Sequence, residues 1–261
     1  MEMKKFNVVA TVLSVASIIV ISIGIILYNQ NKDIIKGCFF RKMYGSIGIV
    51  EGEEYIINMN MFCFDSDIDF MKNVNDLSFD NPDVLIKSID ITEQDQKGDL
   101  IIYNLSMRLS VNKDGQSNIT TLMYSDGSNN STYEIGNIAF IKHNENSIYF
   151  AHGCDLNFIE NQAIINFSKD NENGFIVTDL IYAESEMYTC SYDKELSFTP
   201  GYELLYNFNV KTSCDDRDIF LFQPIFVIKL ENDSNNYYFV PIMPVCNARD
   251  MTFADIREYV K

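Results

Sequence analysis

Hydrophobic and polar residues alternate with a period of two along much of the chain. From Leu100 to Val111 every second residue is apolar, and the residues between are mostly polar. The stretch from Tyr202 to Lys211 repeats this pattern with Tyr, Leu, Phe and Val. Alternation of this kind predicts β-strands that bury one face.

Short turn signals separate the strand candidates. Asp114-Gly115 and Asp126-Gly127 favour tight turns, so three consecutive strands are predicted to form an antiparallel meander. All strand candidates are residues 55–64, 84–92, 100–111, 118–124, 132–142, 147–151, 162–168, 174–182, 186–192, 202–211, 219–230 and 237–243. The sequence therefore predicts an all-β fold, an antiparallel β-sandwich of Ig-like or jelly-roll-like type with about 10–12 strands.

Two segments depart from the alternation. Residues 67–77 place apolar side chains at helical spacing, which predicts a short helix before the sheet. Asp250 or Thr252 is a candidate cap for a last helix within residues 250–260. Pro224 interrupts an apolar run and predicts an edge strand or a bulge.

The N-terminal part contains an uncharged, strongly apolar stretch from Phe6 to Tyr28. About 22 helical residues span about 33 Å, which matches the hydrocarbon core of a bilayer. The polar residues that follow Leu27 include no small-x-small site of the kind that ends a secretory signal. Residues 6–28 therefore predict an uncleaved, single-pass membrane anchor.

The charges around this anchor leave two orientations open. Two Lys precede it and four basic residues follow it, a count that favours a cytoplasmic C-terminal side. A short basic head is also typical of a signal anchor, whose long C-terminal part is translocated largely regardless of charge. After Lys42 the chain has 14 basic and 35 acidic residues, a net of −21, and five of the six Cys. We expect an extracytoplasmic domain at 46–261, with a stalk at 29–45 and the tail and anchor at 1–28.

The acidic balance narrows the classes of partner. A formal net charge of −17 without clustered Lys or Arg argues against a nucleic-acid-binding protein. Asp65, Asp67 and Asp69 are weak candidate ligands for a divalent cation, and no other cofactor is expected. An EF-hand loop would need Gly and Glu where this chain has Phe70 and Asp76. An acid-rich helix N-terminus is the alternative explanation of these carboxylates.

The six Cys are scattered and include no CxxC pair, so the sequence does not predict a structural zinc site. In an oxidising exterior we expect one to three disulfides, and the pairing stays open among the possible combinations. On a reducing side of the membrane the same residues would serve as small buried hydrophobes.

Cysteine chemistry would require one of two histidines as a base. His152 lies two residues before Cys154, and both histidines, His143 and His152, lie at predicted turns. The segment Thr189-Cys190-Ser191-Tyr192 at the end of a predicted strand resembles the Thr-Cys segment of sortases, the surface transpeptidases of Gram-positive bacteria. Lys142-His143-Asn144 is similar to their His segment.

The resemblance to sortases implies Cys190 as a nucleophile and His143 as its partner. Sortases also carry an Arg on the strand after the Cys. Here the first Arg after Cys190 is Arg217, 27 residues later and beyond Cys214, which departs from the sortase pattern. The sequence therefore favours a membrane-anchored extracytoplasmic binding or assembly module that recognises a protein or cell-surface partner without catalysis. A sortase-like cysteine transpeptidase or peptidase that uses Cys190 with His143 is the alternative.

Overall fold

Strands dominate the fold, as the alternating pattern predicts. The computed structural model describes residues 22, 35–50, 52, 54–65, 73–143, 147–148, 154–159, 162–167, 174–192, 196–199, 204–231, 233–241 and 245–261. The elements are β1 Gly37–Phe40, β2 Met43–Val50, β3 Tyr55–Phe64, β4 Leu77–Phe79, β5 Val84–Lys97, β6 Leu100–Val111, β7 Gly115–Ser125, β8 Asn130–His143, β9 Cys154–Ile159, β10 Gln162–Phe167, β11 Phe175–Ile181, β12 Tyr188–Tyr192, β13 Leu196–Phe198, β14 Leu204–Thr212, β15 Ile219–Gln223, β16 Ile225–Leu230, β17 Asn236–Phe239, β18 Val245–Asn247 and α1 Phe253–Tyr259.

The strands form four sheets. Sheet A has the order β1-β3-β6-β5, sheet B the order β18-β15-β2-β8-β7-β4, sheet C the order β13-β11-β16-β17 and sheet D the order β12-β14-β10-β9. The all-β prediction is confirmed. Two details of it are corrected, because 18 strands are described where 10–12 were expected and because sheet B is mixed, with β2 parallel to both β15 and β8.

Sheets A and B face each other across one hydrophobic core. The side chains that meet there come from strands of both sheets, among them Ile47 and Phe140 of sheet B and Met59 of sheet A. On β6 the buried positions Leu105, Met107 and Leu109 are those that the alternation predicts. The apolar positions of the period-two pattern on β6 are therefore the positions that face this core.

Part of sheet B, at β15, β2 and β8, is buried on its other face as well. Phe220 and Phe222 of β15 pack in a second core with residues of β11, β14 and β16 from sheets C and D. Ala139 and Ile141 of β8 contact Ile225 in a further cluster. Parallel strands are normally covered on both faces, and β2 and β15 follow this rule with almost wholly buried residues.

Two glycines allow the parallel strands of sheet B to lie close together. A Cβ on Gly136 would overlap the backbone of Met43, and a Cβ on Gly45 would overlap the carbonyl group of Leu221. Gly136 also has φ +99°, a conformation that favours glycine. The pairing of β2 with β8 and β15 therefore depends on residues without side chains.

The chain passes from sheet A to sheet B between β1 and β2. Strand β1 pairs with β3 in sheet A, whereas β2 begins at Met43 and pairs with β8 in sheet B. Phe40 and Met43 are buried on either side of this crossing. Residues 37–45 of the predicted stalk therefore belong to the folded unit, which begins at Gly37.

A disulfide joins Cys38 of β1 to Cys63 of β3. These residues are direct partners in the antiparallel register, with their Cα atoms 4.2 Å apart. The bond closes a loop with a sequence separation of 25, which stabilises the fold by about 3 kcal/mol on chain-entropy grounds. At least one of the expected disulfides is thus present.

The C-terminal helix α1 confirms the helix predicted within residues 250–260. Thr252 caps it, because its side chain accepts from the Asp255 N–H while the Asp255 carboxylate accepts from the Thr252 N–H. Ile256 is buried, and the ring of Tyr259 packs edge-on against Phe62 of β3. Helix α1 therefore lies against the outer face of sheet A.

Two other sequence predictions lie wholly or partly outside the described residues. The anchor at residues 6–28 is among them, and no helix in the described part of the chain is long and apolar enough to cross a membrane. Of the helix predicted at 67–77, the described residues show a 3-10 turn at Val74–Asp76, and β4 begins at Leu77.

Replacing Gly136 by Ala should lower the free energy of unfolding by about 3–5 kcal/mol, because the new methyl group meets the Met43 backbone at a positive φ. Gly127→Ala is the matched control, since Gly127 has φ +86° with no atom within 4 Å of its would-be Cβ. The control substitution should lower the free energy of unfolding by only about 1–2 kcal/mol. Urea unfolding of both variants measures the difference, and equal losses would contradict the close approach of β2 and β8.

Candidate functional site

A groove of about 560 Å³ lies beside the crossing from β1 to β2. We call it the fork groove, because it is lined by β1 of sheet A and by β8 of sheet B, at the place where the chain passes from one sheet to the other. Its wall residues are Cys38, Phe39, Phe40, Lys42, Tyr44, Thr132, Tyr133, Glu134, Asp215, Arg217, Asp218, Tyr259 and Val260. They come from β1, β2, β8, the loop before β15 and the C-terminal end of the chain.

The groove exists because β2 covers only part of β8. Strand β2 pairs with residues 136–143 of β8, and β7 pairs with residues 130–134 on the opposite edge. Before Gly136 no strand among the described residues pairs with this edge of β8, and β1 pairs with β3 in sheet A. Irregular pairing between β7 and β8 around Thr120 also bends β8 at this point.

A buried arginine holds the crossing in place. Arg41 is only 7% exposed, and its Nε donates to the carbonyl of Arg217 at 2.6 Å. Its Nη2 donates to the carbonyl of Arg249 at 2.5 Å, and its backbone N–H donates to the carbonyl of Asn60. Burial lowers the pKa of Arg41, and nearby acidic groups oppose that shift. The Arg41 side chain thus joins the crossing to the loop before β15 and to the segment before α1.

Tyr259 and Asp218 extend this attachment at the floor of the groove. The Tyr259 hydroxyl donates to Asp218 Oδ1 at 2.6 Å and accepts from the Lys42 N–H at 2.8 Å. Burial, together with the hydrogen bond to Asp218, raises the pKa of Tyr259 well above its usual value. The guanidinium of Arg217 lies 5.5 Å from the centre of the Tyr259 ring. The floor is therefore a fixed network of polar and aromatic groups.

Charges line the rim of the groove in two pairs that differ in rigidity. Arg217 donates to both carboxylate oxygens of Asp215, at 3.0 and 2.8 Å, and these bonds lower the pKa of Asp215. Lys42 Nζ lies 3.4 Å from Glu134 Oε2, with 42% and 80% of the two side chains exposed. The exposed Lys42–Glu134 ion pair contributes little free energy in water, so Glu134 can exchange Lys42 for another cationic partner.

Aromatic rings form the apolar side of the groove. Phe40 and Tyr133 pack edge to face with their centroids 5.5 Å apart, across the gap between β1 and β8. Burial raises the pKa of Tyr44, and the nearby Asp218 carboxylate raises it further. Tyr and Phe side chains are enriched at surfaces that bind other proteins, because the ring can be buried while the hydroxyl of Tyr stays in contact with water.

The structure places Cys190 and His143 in different sheets. Cys190 of β12 pairs with Val210 in sheet D, whereas His143 ends β8 in sheet B and stacks on Tyr238 at 3.6 Å. Burial raises the pKa of Cys190 to about 12. A nucleophilic cysteine needs a lowered pKa, so the surroundings of Cys190 work against the chemistry that the sortase resemblance implies.

The remaining candidate residues are described only in part. Asp65 follows the last residue of β3 and has φ 45°, and its N–H donates to the Asp99 carbonyl. Asp67, Asp69 and His152 lie outside the described residues, as does the side chain of Cys154. Among the described residues, no group of three or more His, Cys, Asp or Glu is arranged to hold a metal ion.

Sequence reasoning missed the residues that build the fork groove. Arg41, Glu134, Asp218 and Tyr259 are far apart in the chain and belong to no motif. Burial of a charged Arg and the passage of the chain between two sheets become visible only in three dimensions. The Tyr and Phe residues are numerous and spread along the sequence, so they do not indicate which surface binds a partner.

Comparisons with known proteins add little to this geometry. No protein-family model and no curated protein sequence matches the chain. Among solved structures, an endo-fucoidan hydrolase from glycoside hydrolase family 107 is similar at 12% identity and a TM-score of 0.18. The match covers 77% of this chain and 27% of the hydrolase chain, so this chain spans about a quarter of that protein.

The raised pKa of Cys190 predicts slow alkylation that accelerates with pH. Because the thiolate reacts, the rate with iodoacetamide should rise about tenfold per pH unit from pH 8 to 11 without a plateau. Mass-spectrometric peptide mapping resolves Cys190 from the other thiols, and Cys190→Ser identifies its signal. Fast labelling at pH 7 that levels off below pH 8 would contradict this assignment and support the enzyme alternative.

Proposed function

We propose that the chain is a membrane-anchored binding module that presents its β-sheet body outside the cytoplasm and recognises a protein partner through the fork groove. The fork groove carries this proposal, because it combines aromatic rings, exchangeable charges and a strand edge with which no strand of the described residues pairs. In this proposal the function is recognition, and Cys190 and Cys214 are partly buried structural residues.

Two observations support the proposed location. The uncharged stretch from Phe6 to Tyr28 has the length of a membrane span. The Cys38–Cys63 disulfide is of a kind that persists in oxidising surroundings, outside the cytoplasm. The proposed anchor, residues 1–28, would precede the body by only a few residues, because the folded unit begins at Gly37.

The shared core of sheets A and B supports a sandwich architecture for the body. The Ig-like or jelly-roll-like assignment remains a prediction within this proposal. Sandwiches commonly use loops and strand edges for recognition, and the fork groove lies at such an edge. An acidic body also favours basic partners, because complementary charge accelerates encounter.

Site-resolved photo-crosslinking in intact cells tests this proposal. p-Benzoylphenylalanine in place of Thr132 or Glu134, both exposed on β8, should give a discrete adduct with a partner. The same group in place of Thr92 or Glu93, exposed on β5, is the matched control and should give none. Protease added outside the cells should digest the adduct.

Two results would contradict the proposal. Crosslinking that is absent at positions 132 and 134, or equally strong at 92 and 93, would remove the fork groove as the binding surface. An adduct that resists external protease, but is digested once the membrane is permeabilised, would place the body on the cytoplasmic side.

A further inference from the structure

We infer that the partner of the fork groove is an extended, basic peptide segment that adds to residues 130–135 of β8 as an extra strand. This inference rests on the proposed function and specifies the class of partner. It does not depend on the orientation of the chain in the membrane.

The backbone of β8 provides the first argument. Residues 130–134 pair with β7 on one side, and β2 begins to pair on the other side only at Gly136. Within the described residues no strand is paired to that second edge of 130–135. At Thr132 and Glu134 a strand edge of this kind offers N–H and C=O groups that an extended peptide can satisfy.

The length of this edge of β8 provides the second argument. Six residues of extended chain span about 20 Å, enough for a segment of five or six residues to pair along the edge. β1 pairs with β3 in sheet A, and the groove of about 560 Å³ lies between residues of β1 and β8. An added strand would continue the line of β2 toward the groove opening, with the loop at 215–218 on its other side.

The side chains along the edge provide the third argument. Tyr133 packs toward Phe40 and the core between sheets A and B. Thr132 and Glu134 alternate with it and are exposed. A strand added here would therefore place alternate side chains beside the aromatic rings and beside Glu134.

The charges favour a basic segment. Arg217 is fixed by two hydrogen bonds to Asp215, and Asp218 accepts from Tyr259, so these groups are already engaged. Glu134 is 80% exposed and bound only loosely by Lys42. A Lys or Arg of the peptide can pair with Glu134, and the net charge of −17 attracts it over longer distances.

Strand β5, at the edge of sheet A, shows by contrast why β8 of sheet B is the preferred acceptor of an added strand. β5 ends the sheet order, but its pairing with β6 shifts register at Ile86/Ser88 and again at Glu93/Asp95. It also carries five charged residues among its fourteen. Charges on an edge protect it against strand addition, and residues 130–135 of β8 carry one charge, Glu134. The irregular pairing of β8 with β7 lies at residues 135–137, at one end of that edge, whereas the two register shifts of β5 lie within its length.

Selection and binding of peptides to the purified full-length chain test the inference. A display library of random heptapeptides is selected on the chain in detergent, and an enriched peptide is synthesised with a fluorescent label. We expect enrichment of Lys and Arg at alternate positions. N-methylation of alternate amides should weaken binding at least tenfold in fluorescence anisotropy, because it removes backbone donors while keeping the charge.

Paired variants locate the site. Glu134→Lys should weaken binding at least tenfold, whereas Glu93→Lys on β5 makes the same charge change and should alter it less than twofold. No enrichment, enrichment of acidic or uncharged sequences, equal binding of the N-methylated peptide, or insensitivity to Glu134→Lys would overturn strand addition. Crosslinks at 132 and 134 would then still stand for the proposed function, and their absence would refute that function separately.

Discussion

The guanidinium of Arg41 lies where the chain crosses from sheet A to sheet B, and the geometry of the groove depends on what it holds. By donating to the carbonyls of Arg217 and Arg249, it fixes the loop before β15 and the segment before α1 against the crossing. A buried arginine is costly unless its donors are satisfied, so these carbonyls and the crossing stabilise one another. This arrangement holds the place where the chain leaves β1 of sheet A and enters β2 of sheet B, next to the part of β8 that no described strand pairs with on this side.

Much of the all-β fold is visible in the sequence, because most strands bury one face. The predicted bounds of β3 and β6 agree with the structure, since their alternation reports the core between sheets A and B. Thr252 was one of two predicted caps and is the one used. Pro224 separates β15 from β16, where the chain passes from sheet B to sheet C, so it marks a break in the run rather than a bulge within one strand.

The parts that sequence reasoning missed have physical reasons. β2 is covered on both faces and contains Gly45 and Gly48, so it shows no alternation, and its first residues were assigned to a stalk. Its parallel neighbours β8 and β15 lie about 90 and 175 residues away along the chain, a separation that no local pattern encodes. The same separation hides the site, since Lys42, Glu134 and Tyr259 are far apart in the chain and come together where β2 lies between β8 and β15.

The most direct test of the account is residue-resolved amide hydrogen exchange along β8 in the unbound full-length chain. The account predicts that every second amide between 130 and 135 exchanges rapidly, while those from 138 to 142 are protected by neighbours on both sides. Uniform protection of residues 130–135 at the level of 138–142 would show that this edge is already paired. The groove would then have no strand edge to offer a partner, and the central claim would be contradicted.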